Sequence, residues 1–72
     1  MMTTITITTE YIKLQDLLKF AAIASTGGEA KIMVQEGQVT VNGEVCTQRG
    51  RKIRLGDDVC ANGAHYTVSY ED

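Results

Sequence analysis

Near its start the chain alternates: Ile5 and Ile7 fall on one side of an extended segment, with Thr4, Thr6 and Thr8 on the other. That period of two predicts a half-buried strand over Thr3 to Thr8. From Leu14 the period lengthens. Leu14, Leu17, Leu18 and Ala21 stand at i, i+3, i+4 and i+7, one apolar stripe on a helix that runs to about Ile23. Gln15 and Asp16 fall in its first turn, where the positive end of the helix dipole favours an acid. Thr26-Gly27-Gly28-Glu29 then has the pattern of a capping box, with Thr26 accepting from the Glu29 N–H and Glu29 reaching back to Thr26. This second helix turns Ala30, Met33 and Val34 toward the first and ends at Gly37, where a left-handed cap favours glycine. A connection of only two or three residues makes the two helices an αα-hairpin with crossed axes.

After Gly37 the period returns to two. Val39 and Val41 alternate with Gln38 and Thr40, Asn42-Gly43 marks a tight hairpin turn, and Glu44 to Thr47 comes back as the paired strand. Residues 49–54 read as a loop and Leu55-Gly56-Asp57 as a turn. Val59 to Ala61 is a further strand, Asn62-Gly63 a second hairpin turn, and Ala64 to Tyr70 a last strand with Tyr66, Val68 and Tyr70 on one face. That strand is long enough to pair with the first. The expected fold is α+β: a two-helix hairpin packed on a small, mainly antiparallel sheet, with paired N- and C-terminal strands, in one domain spanning 1–72.

Size and composition narrow what such a domain does. A 72-residue chain buries roughly 60% of its unfolded surface, which leaves little room for an enclosed pocket. Its apolar share of 43% and charged share of 22% are those of a globule, not a disordered tail. Met1 to Glu10 lacks the basic-then-apolar order of a signal peptide, and no apolar run approaches the roughly 20 residues of a membrane span. The expected location is therefore the cytoplasm, with no membrane contact.

Cys46 and Cys60, together with the single histidine, His65, do not supply the four paired ligands of a zinc site, so both cysteines are expected to be free thiols. Neither metal nor cofactor is expected. Nothing recognisable orients His65 toward a serine and an acid, and no glycine-rich nucleotide loop precedes a helix. Glu36, Glu44, Asp57 and Asp58 read as solvated acids in turns and on strand faces. A non-catalytic protein without a small-molecule substrate is the expectation.

Charge adds a direction. The net charge is only −2, yet Arg49, Arg51, Lys52 and Arg54 are four of the seven cations, and no acid lies among them. The rest of the chain holds three cations against nine acids. Charges beyond about 8 Å are largely screened at physiological salt, so a partner docking there meets the cluster and not the total.

The order of helix, helix, Gly37-Gln38-Val39-Thr40-Val41-Asn42-Gly43, then Gly56-Asp57 resembles the RNA-binding domain first described in the fourth protein of the small ribosomal subunit, here the S-four-type domain. The match covers about 13–59, and the flanking strands resemble the short stand-alone bacterial YaaA subgroup. The resemblance implies that the two helices and adjacent loops grip structured RNA, with ribosomal or transfer RNA as the expected partner and the ribosome a further candidate. Lys13 stands where the family has a basic residue before its first helix, and Gln15 where it commonly has aspartate. Thr26 stands at the family's serine, and Gly27 replaces the arginine that normally follows.

Side chains on a helix lean toward its N-terminus, so Lys31, four residues after Gly27, covers the surface of the missing arginine. The backbone at Gly27 and Gly28 can also approach a phosphate. The expected RNA-binding set is thus Lys13, Thr26, Gly27, Gly28, Lys31, Arg49, Arg51, Lys52 and Arg54. Phe20, off the leucine stripe, is expected to pack under the first strand; exposed, it would offer a stacking face to an unpaired base. The alternative function is a protein-interaction adaptor whose basic loop docks an acidic partner.

Overall fold

Two Asn-Gly turns frame the sheet. Asn42 (φ 54°) and Gly43 (φ 86°) both take the left-handed conformation, as do Asn62 (φ 53°) and Gly63 (φ 77°), which is the backbone of a type I′ hairpin turn. In the computed structural model, which describes residues 2–71, the first turn joins β3 (Val39–Val41) to β4 (Glu44–Val45). The second joins β6 (Asp58–Ala61) to β7 (Ala64–Tyr70). β3 also pairs antiparallel with β6, with Val39 opposite Ala61 and Val41 opposite Val59. Along the outer side of β7 runs β1 (Met2–Ile7), parallel to it, with Ile5 opposite Val68 and Ile7 opposite Tyr70. The five-stranded order is β1-β7-β6-β3-β4, so the N- and C-terminal strands pair as expected and make the one parallel step in a mainly antiparallel sheet. Met1 lies outside the described residues.

One face of the sheet is apolar and carries the helices; the other is open to water. Ile7, Val39, Val41, Val59, Ala61 and Val68 are buried, whereas Thr4, Thr6, Thr67 and Ser69 line the far face. There Thr6 and Ser69 hydroxyls meet at 3.1 Å across the β1–β7 pair. Tyr66 packs partly into the core and Val68 fully, but Tyr70, on the same face, lies beyond the core edge and is exposed.

Leu14, Leu17 and Leu18 of α1 (Leu14–Phe20) and Ala30, Met33 and Val34 of α2 (Gly27–Gln35) close the core from above. α2 ends as expected. Gly37 (φ 74°) donates to the Val34 carbonyl and Gln38 to that of Met33, the paired bonds of a Schellman cap. At its start Thr26 Oγ1 accepts from the Glu29 N–H at 3.1 Å. The reciprocal bond differs from the expected one: Glu29 Oε2 accepts from the Ser25 N–H at 3.3 Å, one residue further out than Thr26.

α1 also stops earlier than its stripe suggests. Ala21 is its C-cap and Ala22 (φ 60°) turns left-handed, with Ala22 donating to Lys19 and Ile23 to Leu18. The connection to α2 is therefore residues 21–26, not two or three residues, and it buries Ala24.

The basic segment is not a free loop. Lys52–Ile53 form β5, paired antiparallel with β2 (Ile12–Lys13) as a small separate ribbon. The cause is apolar: Ile53 and Ile12 stand opposite each other and are both buried, so the arm is tied down by its one large hydrophobe.

Candidate nucleic-acid interface

The ribbon brings together residues that lie about forty positions apart in the chain. Lys13 sits directly across from Lys52, and both side chains are exposed. Lys52 Nζ stands 4.9 Å from the centroid of the Tyr11 ring, a cation–π contact. Beyond the ribbon the arm is pinned to the start of α1. The Leu14 N–H donates to the Arg51 carbonyl at 2.9 Å and the Gln15 N–H to the Arg49 carbonyl at 3.0 Å. These amides open the helix and have no partner within it, so the arm satisfies them. Arg49 and Arg51 are both exposed.

The far end of the arm is held by a lock between two turns. Asn42 Nδ2 donates to Asp57 Oδ1 and the Arg54 N–H donates to Asp57 Oδ2, both at 2.9 Å. The Asp58 N–H donates in turn to Asn42 Oδ1 at 2.9 Å. This explains why Asn42-Gly43 and Gly56-Asp57 occur as a pair in one chain: the first turn's amide bridges to the second turn's carboxylate. Burial pushes the Asp57 carboxyl up, but the Arg54 N–H, the Asn42 amide and the charges of Arg51 and Arg54 outweigh it, leaving the carboxyl below the usual range. Asp57 is thus a structural clasp and not the solvated acid its sequence context suggests. Asp58 is also engaged, 3.0 Å from His65 Nδ1.

On the second helix, Thr26, Gly27 and Gly28 are exposed at its start, and nothing lies within 4 Å of where a Gly27 side chain would begin. Lys31 is half-buried one turn on. The structure thus pairs Lys13 with Lys52, ties Arg49 and Arg51 to the start of α1 through their carbonyls, and holds Arg54 at the Asp57 turn. Thr26, Gly27, Gly28 and Lys31 form a separate group on the helix packed beside α1. Among the described residues, none of Lys13, Lys31, Arg49, Arg51, Lys52 and Arg54 lies within ion-pair distance of a carboxylate; Lys19 is the cation that does, 3.4 Å from Asp16.

Phe20 departs from its expected place under the first strand. It is 73% exposed, because α1 ends on it and the leucine stripe already fills the space above the sheet. Tyr11 carries no signal of a role in the sequence, and Asn42 and Asp57 none of the bond between them. The latter two show only as turn residues until the fold brings the turns together.

Two helices packed on a mainly antiparallel sheet are the fold of the S4 domain. The S4 domain family matches residues 5–69, wider than the 13–59 that the motifs alone delimit, and the chain belongs to it. It is 44% identical over 59 residues to a Bacillus subtilis (strain 168) protein named "Probable ribosome maturation protein RlbA", covering 82% of this chain and 83% of that one. To YbcJ of Escherichia coli (strain K12) it is 42% identical over 53 residues, covering 74% and 76%. The solution structure of YbcJ, described as revealing a motif involved in RNA binding, superposes with a TM-score of 0.68 at 36% identity over 90% of this chain and 84% of that one.

Proposed function

We propose that this protein is a non-catalytic, cytoplasmic RNA-binding module that grips structured ribosomal or transfer RNA through Lys13, Arg49, Arg51, Lys52 and Arg54. Lys31 and the open backbone at Thr26, Gly27 and Gly28 would extend that surface. The observation that carries this reading is that, among the described residues, six cations lie beyond ion-pair distance of any carboxylate. Lys13 and Lys52 sharpen it. Like charges directly opposite on paired strands repel, and an anion between them turns the repulsion into attraction. Family membership and the names carried by RlbA and YbcJ support RNA as that anion, with RlbA favouring a ribosomal one. The Glu29 carboxylate, drawn back to Ser25, weighs against a phosphate at the α2 start, so the ribbon and arm carry most of the expected affinity.

The test is a salt titration of binding to structured ribosomal and transfer RNA. If about five phosphates are neutralised, log affinity should fall against log salt with a slope of about −3.5 on single-stranded RNA, and more steeply on duplex. Arg51→Ala should weaken binding across RNA sequences and flatten the slope by about 0.7. Thr4→Glu lowers the net charge by the same one unit on the open threonine face and should change little. Equal weakening by the two variants would mean that only total charge matters. No binding by the wild type at low salt would favour the adaptor reading.

A further inference from the structure

Phe20 is the most exposed large apolar residue among the described residues, and with Asp16 and Lys19 it lines an open groove of about 460 Å³. It is the last residue of α1, which begins directly after Lys13, so it stands about 10 Å along the helix axis from the ribbon. A short single-stranded stretch spans that distance. Asp16 and Lys19 neutralise each other beside the ring, so the groove offers an aromatic face in surroundings of no net charge. Such a place suits an uncharged base and not a phosphate, while the exposed cations of the arm suit the backbone that carries the base. A protein partner would more naturally take a contiguous apolar patch. Here a single ring stands between charged neighbours.

We propose that Phe20 is a stacking platform for one unpaired base of the bound RNA, next to the phosphates gripped by the ribbon and arm. This rests on the RNA-binding reading above and adds what that reading does not contain: a requirement for an unpaired nucleotide at a fixed distance from the phosphate contacts.

The chain has no tryptophan, so Phe20→Trp introduces the only indole. The probes are a stem closed by a purine-rich loop and the same stem as a blunt duplex, titrated against wild type, Phe20→Trp, Phe20→Ala and Phe20→Leu. The indole emission should be quenched by the stem–loop and unmoved by the duplex. Phe20→Ala should lose roughly tenfold or more in affinity for the stem–loop, keep its affinity for the duplex, and leave the salt slope unaltered. Phe20→Leu keeps apolar bulk without a π face and should behave as Phe20→Ala does. Three results would overturn the inference while leaving the basic surface intact: an unquenched indole on bound stem–loop, wild-type affinity in Phe20→Ala, or full rescue by leucine. Binding of neither probe by the wild type at low salt would remove the reading beneath it as well.

Discussion

Asn42 does three things at once. Its backbone takes the left-handed turn, its amide nitrogen holds Asp57 and its amide oxygen holds the Asp58 N–H. Asn42→Gly keeps the turn and removes only the side-chain bonds, so it should cost about 1–2 kcal/mol in urea unfolding. Asp57→Ala should cost a similar amount, and the double variant should cost less than the two together by at least about 0.5 kcal/mol, since both break one clasp. Strict additivity would mean two independent contacts. The clasp is also pH-dependent. Asp57's folded pKa is depressed, so its stabilisation is fully present above the ordinary carboxylate range and is lost as pH falls through that range and below. Solvent reaches the group and screens the effect, so the loss is a modest one that Asp57→Ala should not show.

The two helices close with the same cap built from different residues. α2 places Gly37 at its left-handed position, whereas α1 places Ala22 there, with a Cβ that the conformation disfavours. Ala22→Gly should therefore stabilise the protein by about 0.5–1 kcal/mol, the relief of strain being partly offset by the greater freedom of glycine in the unfolded chain. A higher urea midpoint with unchanged slope checks it, and an unchanged midpoint would mean that Ala22 carries no strain. The β2–β5 ribbon is an element of another kind. Two residues per strand would not hold alone. The ribbon persists because Ile12 and Ile53 reach the core and because α1 spends its first two amides on the arm.

At the scale of the molecule, charge is segregated. Among the described residues, six cations on the ribbon, the arm and α2 stand beyond ion-pair distance of a carboxylate, while the open sheet face carries hydroxyls and the Asp58–His65 pair. Gly27, where the family resemblance implies an arginine, is the first residue of α2 and has clear space beside it. Gly27→Arg should raise RNA affinity severalfold and steepen the salt slope by about 0.7 on single-stranded RNA. Stability should stay within about 0.5 kcal/mol, as at other exposed sites. Titration beside the wild type checks both, and unchanged affinity would place the α2 start off the RNA surface.

Period and turn chemistry are local, and at that level the sequence was sufficient. The alternation at Ile5 and Ile7, the stripe from Leu14 to Leu18, Thr26 and Gly37 at the ends of α2, and the two Asn-Gly turns each act through neighbours a few residues away. They determined the presence and order of the helices and hairpins, while the end of α1 and the β1–β7 register, between residues 63 apart, were settled by the fold. The charge cluster at 49–54 was equally legible, because composition needs no fold. What tertiary structure alone decided involves partners distant in the chain. Ile53 made a strand of the arm only by meeting Ile12, and Asp57 became a clasp only when Asn42 came within 2.9 Å. Phe20 stayed in water because the leucines had already filled the core, a matter of three-dimensional volume that no one-dimensional period records.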